Sequence, residues 1–132
     1  MLEAAVRLAD FPLAPDLAFV GEARSRTCGS TAWIGLDLDA SGRVARIGCR
    51  VQACAVGQAA AALFADGAVG RSGAEVADAR TAIAGWLNGG DTSDWPGSAL
   101  IEPALAFPAR HGAILLAWDA ALAALASHPA LR

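Results

Sequence analysis

The sequence predicts an α+β fold: a small antiparallel sheet of about three strands, followed by helices. Two observations carry that prediction. Residues Thr31 to Asp39 alternate apolar and polar, turn at Asp39-Ala40-Ser41-Gly42, and return through Arg43 to Gly48, the period-two pattern of a hairpin. Beyond Cys49 the apolar residues recur at helical spacing, and Ser72-Gly73-Ala74-Glu75 has the form of a capping box.

The elements follow in order. Leu2 to Ala9 reads as a brief amphipathic helix with Leu2, Val6 and Ala9 on one side, ended by Phe11-Pro12. Leu17 to Arg26 is expected as the first strand. In the second, Ala32, Ile34, Leu36 and Leu38 make one apolar face, while Thr31, Asp37 and Asp39 lie on the other. Trp33 shares that polar face and calls for a cover. In the third, Ala45, Ile47 and Cys49 alternate with Val44, Arg46 and Gly48. Val51 to Ala65 is predicted helical. Val76, Ala79, Ile83, Trp86 and Leu87 mark the capped helix, which Asn88-Gly89-Gly90 stops. Asp91 to Gly97 reads as a polar loop, and Ser98 toward Ala106 as a short helix that Pro103 kinks or breaks. A last, alanine-rich helix runs from about Arg110 to Ser127.

Composition narrows the class. With 132 residues, 55% of them hydrophobic, the whole chain, 1–132, is expected to form a single domain with a proper core. The net charge is −3, and all ten basic residues are scattered arginines, which is not the clustered footprint of a nucleic-acid binder. Met1-Leu2-Glu3 lacks the basic segment and apolar stretch of a signal peptide, and the apolar run Ile114 to Ala126 contains Asp119 and is too short to span a bilayer. Three cysteines are a poor match to a disulfide framework. The expectation is a soluble cytoplasmic protein without nucleic-acid or membrane partners. No Ser-His-Asp arrangement, glycine-rich phosphate loop or carboxylate pair stands out, so a carrier fits better than a hydrolase or a nucleotide-binding enzyme.

The cysteines are the candidate chemistry. A hairpin brings the start of its first strand beside the end of its second, so Cys28 and Cys49 are expected as neighbours at one rim of the sheet. Two thiols so placed suit a metal, a cluster or a carried sulfur better than a disulfide. Cys49 is expected to open a helix, where the dipole and free amides favour a thiolate, with Arg50 adjacent and Arg110 near. Cys54, five positions on at about 100° per residue, is expected to face away as a small core residue. His111, at the start of the last helix, is the candidate third ligand; its plainer role is that of a surface or helix-capping histidine. His128 reads as solvated.

The order of Cys28-Gly29-Ser30, hairpin, Gly48-Cys49, capped helix, Phe107-Pro108-Ala109-Arg110 and Leu116-Ala117-Trp118 resembles the iron–sulfur cluster scaffold proteins, the IscU and NifU amino-terminal family, and most of all its SufU branch. The resemblance runs from roughly Val6 to Ala124. It implies a SufE/NifU-like architecture, with the helices packed on one face of the sheet. It also implies one site built from three cysteines and an aspartate, holding a nascent [2Fe-2S] cluster, zinc or a persulfide sulfur. Cys28 and Cys49 match its first two cysteines, whereas Ser30 stands where the family has its aspartate. The third cysteine falls at Ala113, or at Gly112 if His111 is aligned with the family's His-Cys. Zinc and cluster iron take thiolate or imidazole donors at about 2.0 to 2.3 Å, and the candidate replacements are His111 and Cys54.

The function implied is that of an iron–sulfur cluster assembly scaffold, binding a [2Fe-2S] cluster, iron or zinc through Cys28 and Cys49. Its partners would be a cysteine desulfurase and cluster-accepting proteins. The alternative is a sulfur-acceptor or regulatory protein that docks the desulfurase without holding a cluster, Cys49 taking the persulfide as the Gly-Cys loop of the SufE proteins does. A degenerate interaction module is the third reading.

Overall fold

The protein, a computed structural model, is described over residues 6–26 and 29–127. Strands β1 (Phe19–Arg24), β2 (Thr31–Leu38) and β3 (Val44–Gln52) form an antiparallel sheet in the order β1-β2-β3. The turn between β2 and β3 lies where its residues predict. The Asp39 carboxylate accepts the amides of Ser41 and Arg43 at 2.9 and 3.0 Å, and Gly42 takes φ +83°, a conformation that costs glycine little.

Helices α1 (Ala55–Ala68), α2 (Gly73–Leu87) and α3 (His111–Ala126) follow, with short 3-10 segments at Arg7–Asp10, Ser98–Ala106 and Pro108–Arg110. The helices pack on one face of the sheet, as the sequence resemblance implies. There α3 crosses β1 and β2, α1 packs between β3 and α3, and α2 lies against α3. Ala32, Ile34 and Leu36 are fully buried beneath them. Gly21 allows α3 its close approach: a Cβ there would stand 2.1 Å from the Ala120 carbonyl and 2.3 Å from the Ala124 amide. Although α3 with its 3-10 lead is long and apolar enough to cross a membrane by composition, Ile114, Leu116, Trp118 and Ala121 are spent on the core, and Asp119 pairs with Arg80 at 2.9 Å.

On the opposite face, Pro12 and Leu17 close over Gly48, and Leu13 and Leu17 over Gly35. Trp33 receives its cover from a side chain rather than from an element, the Arg50 guanidinium lying 5.3 Å from its ring centroid. The capping box forms: Ser72 Oγ accepts the Glu75 amide at 3.2 Å, and Arg43 binds the Glu75 carboxylate at 2.5 Å, tying the hairpin turn to α2. The segment read as a polar loop sends Trp95 into the core, stacked on Phe64 and donating its indole N–H to the Leu63 carbonyl at 2.8 Å.

The boundaries differ from expectation most in two places. β3 does not stop at Cys49. Arg50, Val51 and Gln52 find partners in Trp33, Ala32 and Thr31, so the chain stays extended and the helix opens at Ala55 rather than Val51. Most of the predicted helix Leu2 to Ala9 lies outside the described residues, and Arg7–Asp10 is a 3-10 turn.

Candidate functional site at two converging helix starts

The sheet end that leads into α1 also carries the β1–β2 connection. Thr31, the first residue of β2, pairs with Gln52, the last of β3, so the connection enters the sheet at the end where β3 leaves it toward α1. The connection is closed by the Ser25 amide donating to the Ser30 carbonyl at 2.8 Å and the Gly29 amide to the Ser25 carbonyl at 3.2 Å. Cys28 falls in this connection by sequence and lies outside the described residues. Ser30, where the family has its aspartate, is buried.

Cys54 is the N-cap of α1, extended at φ −65° and ψ 171°, and half-buried. Its neutral thiol closes no cap hydrogen bond, so the amides that follow are left to favour its anion. Burial raises the thiol, but the Gly57 amide, the Arg110 guanidinium and the Val56 amide together hold it below the ordinary cysteine range. Arg110 is itself the N-cap of α3. The two first turns touch, since a Cβ on Gly57 would lie 3.3 Å from that of Ala113. Ala113, where the resemblance puts a third cysteine, is therefore buried against the turn that Cys54 caps.

Cys49 is a correction. It does not open a helix but sits inside β3 opposite Ile34, only 8% exposed, and its amide donates to the Phe11 carbonyl at 2.8 Å. The extended chain sets it up to roughly 16 Å before Cys54 at about 3.3 Å per residue. Burial pushes its thiol up to about 11. Cys54, expected in the core, instead stands at the helix start beside Arg110, while Cys49 is the buried thiol. The signal available in the sequence was the uninterrupted alternation Ile47, Cys49, Val51, which carries the strand past Cys49.

His111 is half-buried in the first turn of α3, and its Nε2 lies 3.0 Å from the Leu105 carbonyl. That nitrogen is engaged as a donor, leaving Nδ1 as its acceptor. Among the described residues no group of three histidine, cysteine or acidic side chains converges as a metal would need. Val56, two residues after Cys54, lines a cavity of about 220 Å³ with Pro103, Ala104, Phe107 and Arg110.

No family model and no curated protein matches this sequence. Solved structures do. A nitrogen-fixing NifU-like amino-terminal domain from Brucella abortus is 27% identical, with 96% of each chain covered and a TM-score of 0.77. A candidate SUF-system iron–sulfur cluster assembly scaffold from Fervidobacterium islandicum is 16% identical, with 90% of this chain and 93% of that one covered and a TM-score of 0.75. The fold is that of the NifU-like amino-terminal domains. The resemblance read in the sequence to the IscU, NifU and SufU family agrees with these neighbours along nearly the whole chain.

Proposed function

We propose that this protein serves iron–sulfur cluster assembly by handling sulfur, with Cys54 as the thiol that accepts it from a cysteine desulfurase. One observation carries the reading: Cys54 caps a helix amino terminus beside the Arg110 guanidinium, an environment that lowers its pKa. In the transfer, the Cys54 thiolate attacks the terminal sulfur of the donor persulfide. The donor's S–S bond breaks, a new one forms on Cys54, and the donor thiolate leaves. The free thiols suit a reducing compartment such as the cytoplasm, and the carried sulfur would pass on to cluster-accepting proteins.

A second reading has one observation behind it. The β2–β3 register brings the connection containing Cys28 to the end where Cys54 stands. Iron, a nascent [2Fe-2S] cluster or zinc would then be cargo held by Cys28 and Cys54. Two thiolates are half of a tetrahedral set, so a partner would supply the rest.

The test is incubation with a cysteine desulfurase and free cysteine, followed by peptide mass spectrometry. A gain of one sulfur on the Cys54 peptide, lost in Cys54→Ser, is the expected result. Sulfur accumulating on Cys49, or on no cysteine, overturns the assignment.

A further inference from the structure

One cavity has apolar walls in Val56, Pro103, Ala104 and Phe107 and one charge on its rim, Arg110, the guanidinium that reaches the Cys54 thiol. Among the described residues that arginine has no carboxylate partner. Arg7, Arg43, Arg46 and Arg80 are each paired with an acid, and Arg50 and Arg71 lie over tryptophan rings. Phe107 is 61% exposed, so the apolar wall opens to solvent. At about 220 Å³ the space is smaller than the roughly 300–1,000 Å³ of sites that take drug-sized ligands, and it suits a molecule the size of one amino acid.

We propose that this cavity is a subsite for a low-molecular-weight persulfide bearing a carboxylate, which Arg110 binds while Cys54 takes the sulfur. The inference rests on the sulfur-accepting reading of Cys54 and adds a donor that is not a protein. A guanidinium has five donors in a planar fork, enough to hold a carboxylate through two of them while still facing the sulfur. The donor's short apolar chain lies along Val56 and Phe107, which brings its persulfide to the start of α1. The thiolate of Cys54 attacks the terminal sulfur of R–S–SH, and the hydrogen stays on the transferred sulfur. Cys54 becomes the persulfide, and R–S⁻ leaves with the electron pair of the broken S–S bond. No external oxidant or reductant enters the balance.

Two probes differing only in charge test it: the persulfide of N-acetylcysteine and that of its carboxamide. Initial rates of sulfur gain on the Cys54 peptide are measured with the full chain. The carboxylate donor is expected to react about fivefold faster, the scale of one solvent-exposed ion pair. Arg110→Gln should bring the two rates together, even if both fall as the thiolate loses its neighbour. Arg110→Lys, which keeps the charge and loses the fork, should fall between. Equal rates in the parent, or a preference that survives Arg110→Gln, overturns the subsite. If neither probe loads Cys54 while a desulfurase does, the subsite is refuted and the sulfur-accepting reading stands. If nothing loads Cys54, both fail.

Discussion

Cys54 and Arg110 cap the amino termini of two different helices, and those termini meet. The α1 terminus contributes free amides and the positive end of a helix dipole, and Arg110, at the start of α3, adds a full charge. An anion at Cys54 is thus stabilised from two helices at once. The contact requires small residues in both first turns, which Gly57 and Ala113 supply.

The first consequence is selective reactivity. In a Cys28→Ser background, iodoacetamide at neutral pH should modify Cys54 at least tenfold faster than Cys49, given an anion-favouring site against a buried thiol raised to about 11. Peptide mapping over time gives both rates. Faster labelling of Cys49 under native conditions would refute the placement.

Alkaline stability should follow Cys49. Its folded pKa, about 11, lies above the ordinary 9.0, so the unfolded chain releases the proton first. The stabilisation is complete below pH 9 and is lost as pH rises through about 11. The chain contains no lysine and no tyrosine, so few other groups titrate in that window. Urea unfolding from pH 8 to 11 should show stability falling, and Cys49→Ala should flatten the slope.

Ala113→Cys should rebuild a metal site. Its side chain lies against the turn capped by Cys54, so a third thiolate would enter beside the first two. Zinc affinity, read by competition with a chromophoric chelator, should rise by about tenfold or more, since each added thiolate completes part of a tetrahedral set. The gain should vanish in the Cys54→Ser double variant and survive Cys49→Ser.

Gly21→Ala tests the packing that holds the site together. The added Cβ meets backbone atoms of α3 at 2.1 and 2.3 Å, with no flexible side chain to give way. A loss of roughly 2–4 kcal/mol in denaturant unfolding is expected, as for severe overpacking. A variant as stable as the parent would mean that α3 does not lie on β1 so closely.

Much of this was legible from local pattern. The hairpin, its Asp39-Ala40-Ser41-Gly42 turn, the inward face of Ala32, Ile34 and Leu36, and the Ser72–Glu75 box all follow from residues within a few positions of one another. Their physics is short-ranged: side-chain alternation, a carboxylate reaching nearby amides, a hydroxyl capping a helix. The order of these signals along the chain also carried the likeness to the NifU and SufU scaffolds, and fold neighbours of that kind agree with it.

The tertiary structure decided which cysteine stands at the helix start. Whether Arg50 to Gln52 continue a strand or begin a helix depends on Thr31 to Trp33 lying opposite to take their backbone hydrogen bonds, and those partners are some twenty residues away. Three added strand residues bury Cys49 in the sheet and carry Cys54 to the cap of α1. Likewise, only the docking of α3 on α1 brings Arg110 to that thiol. Cysteine reactivity is a property of surroundings, and here the surroundings are assembled from elements far apart in the chain.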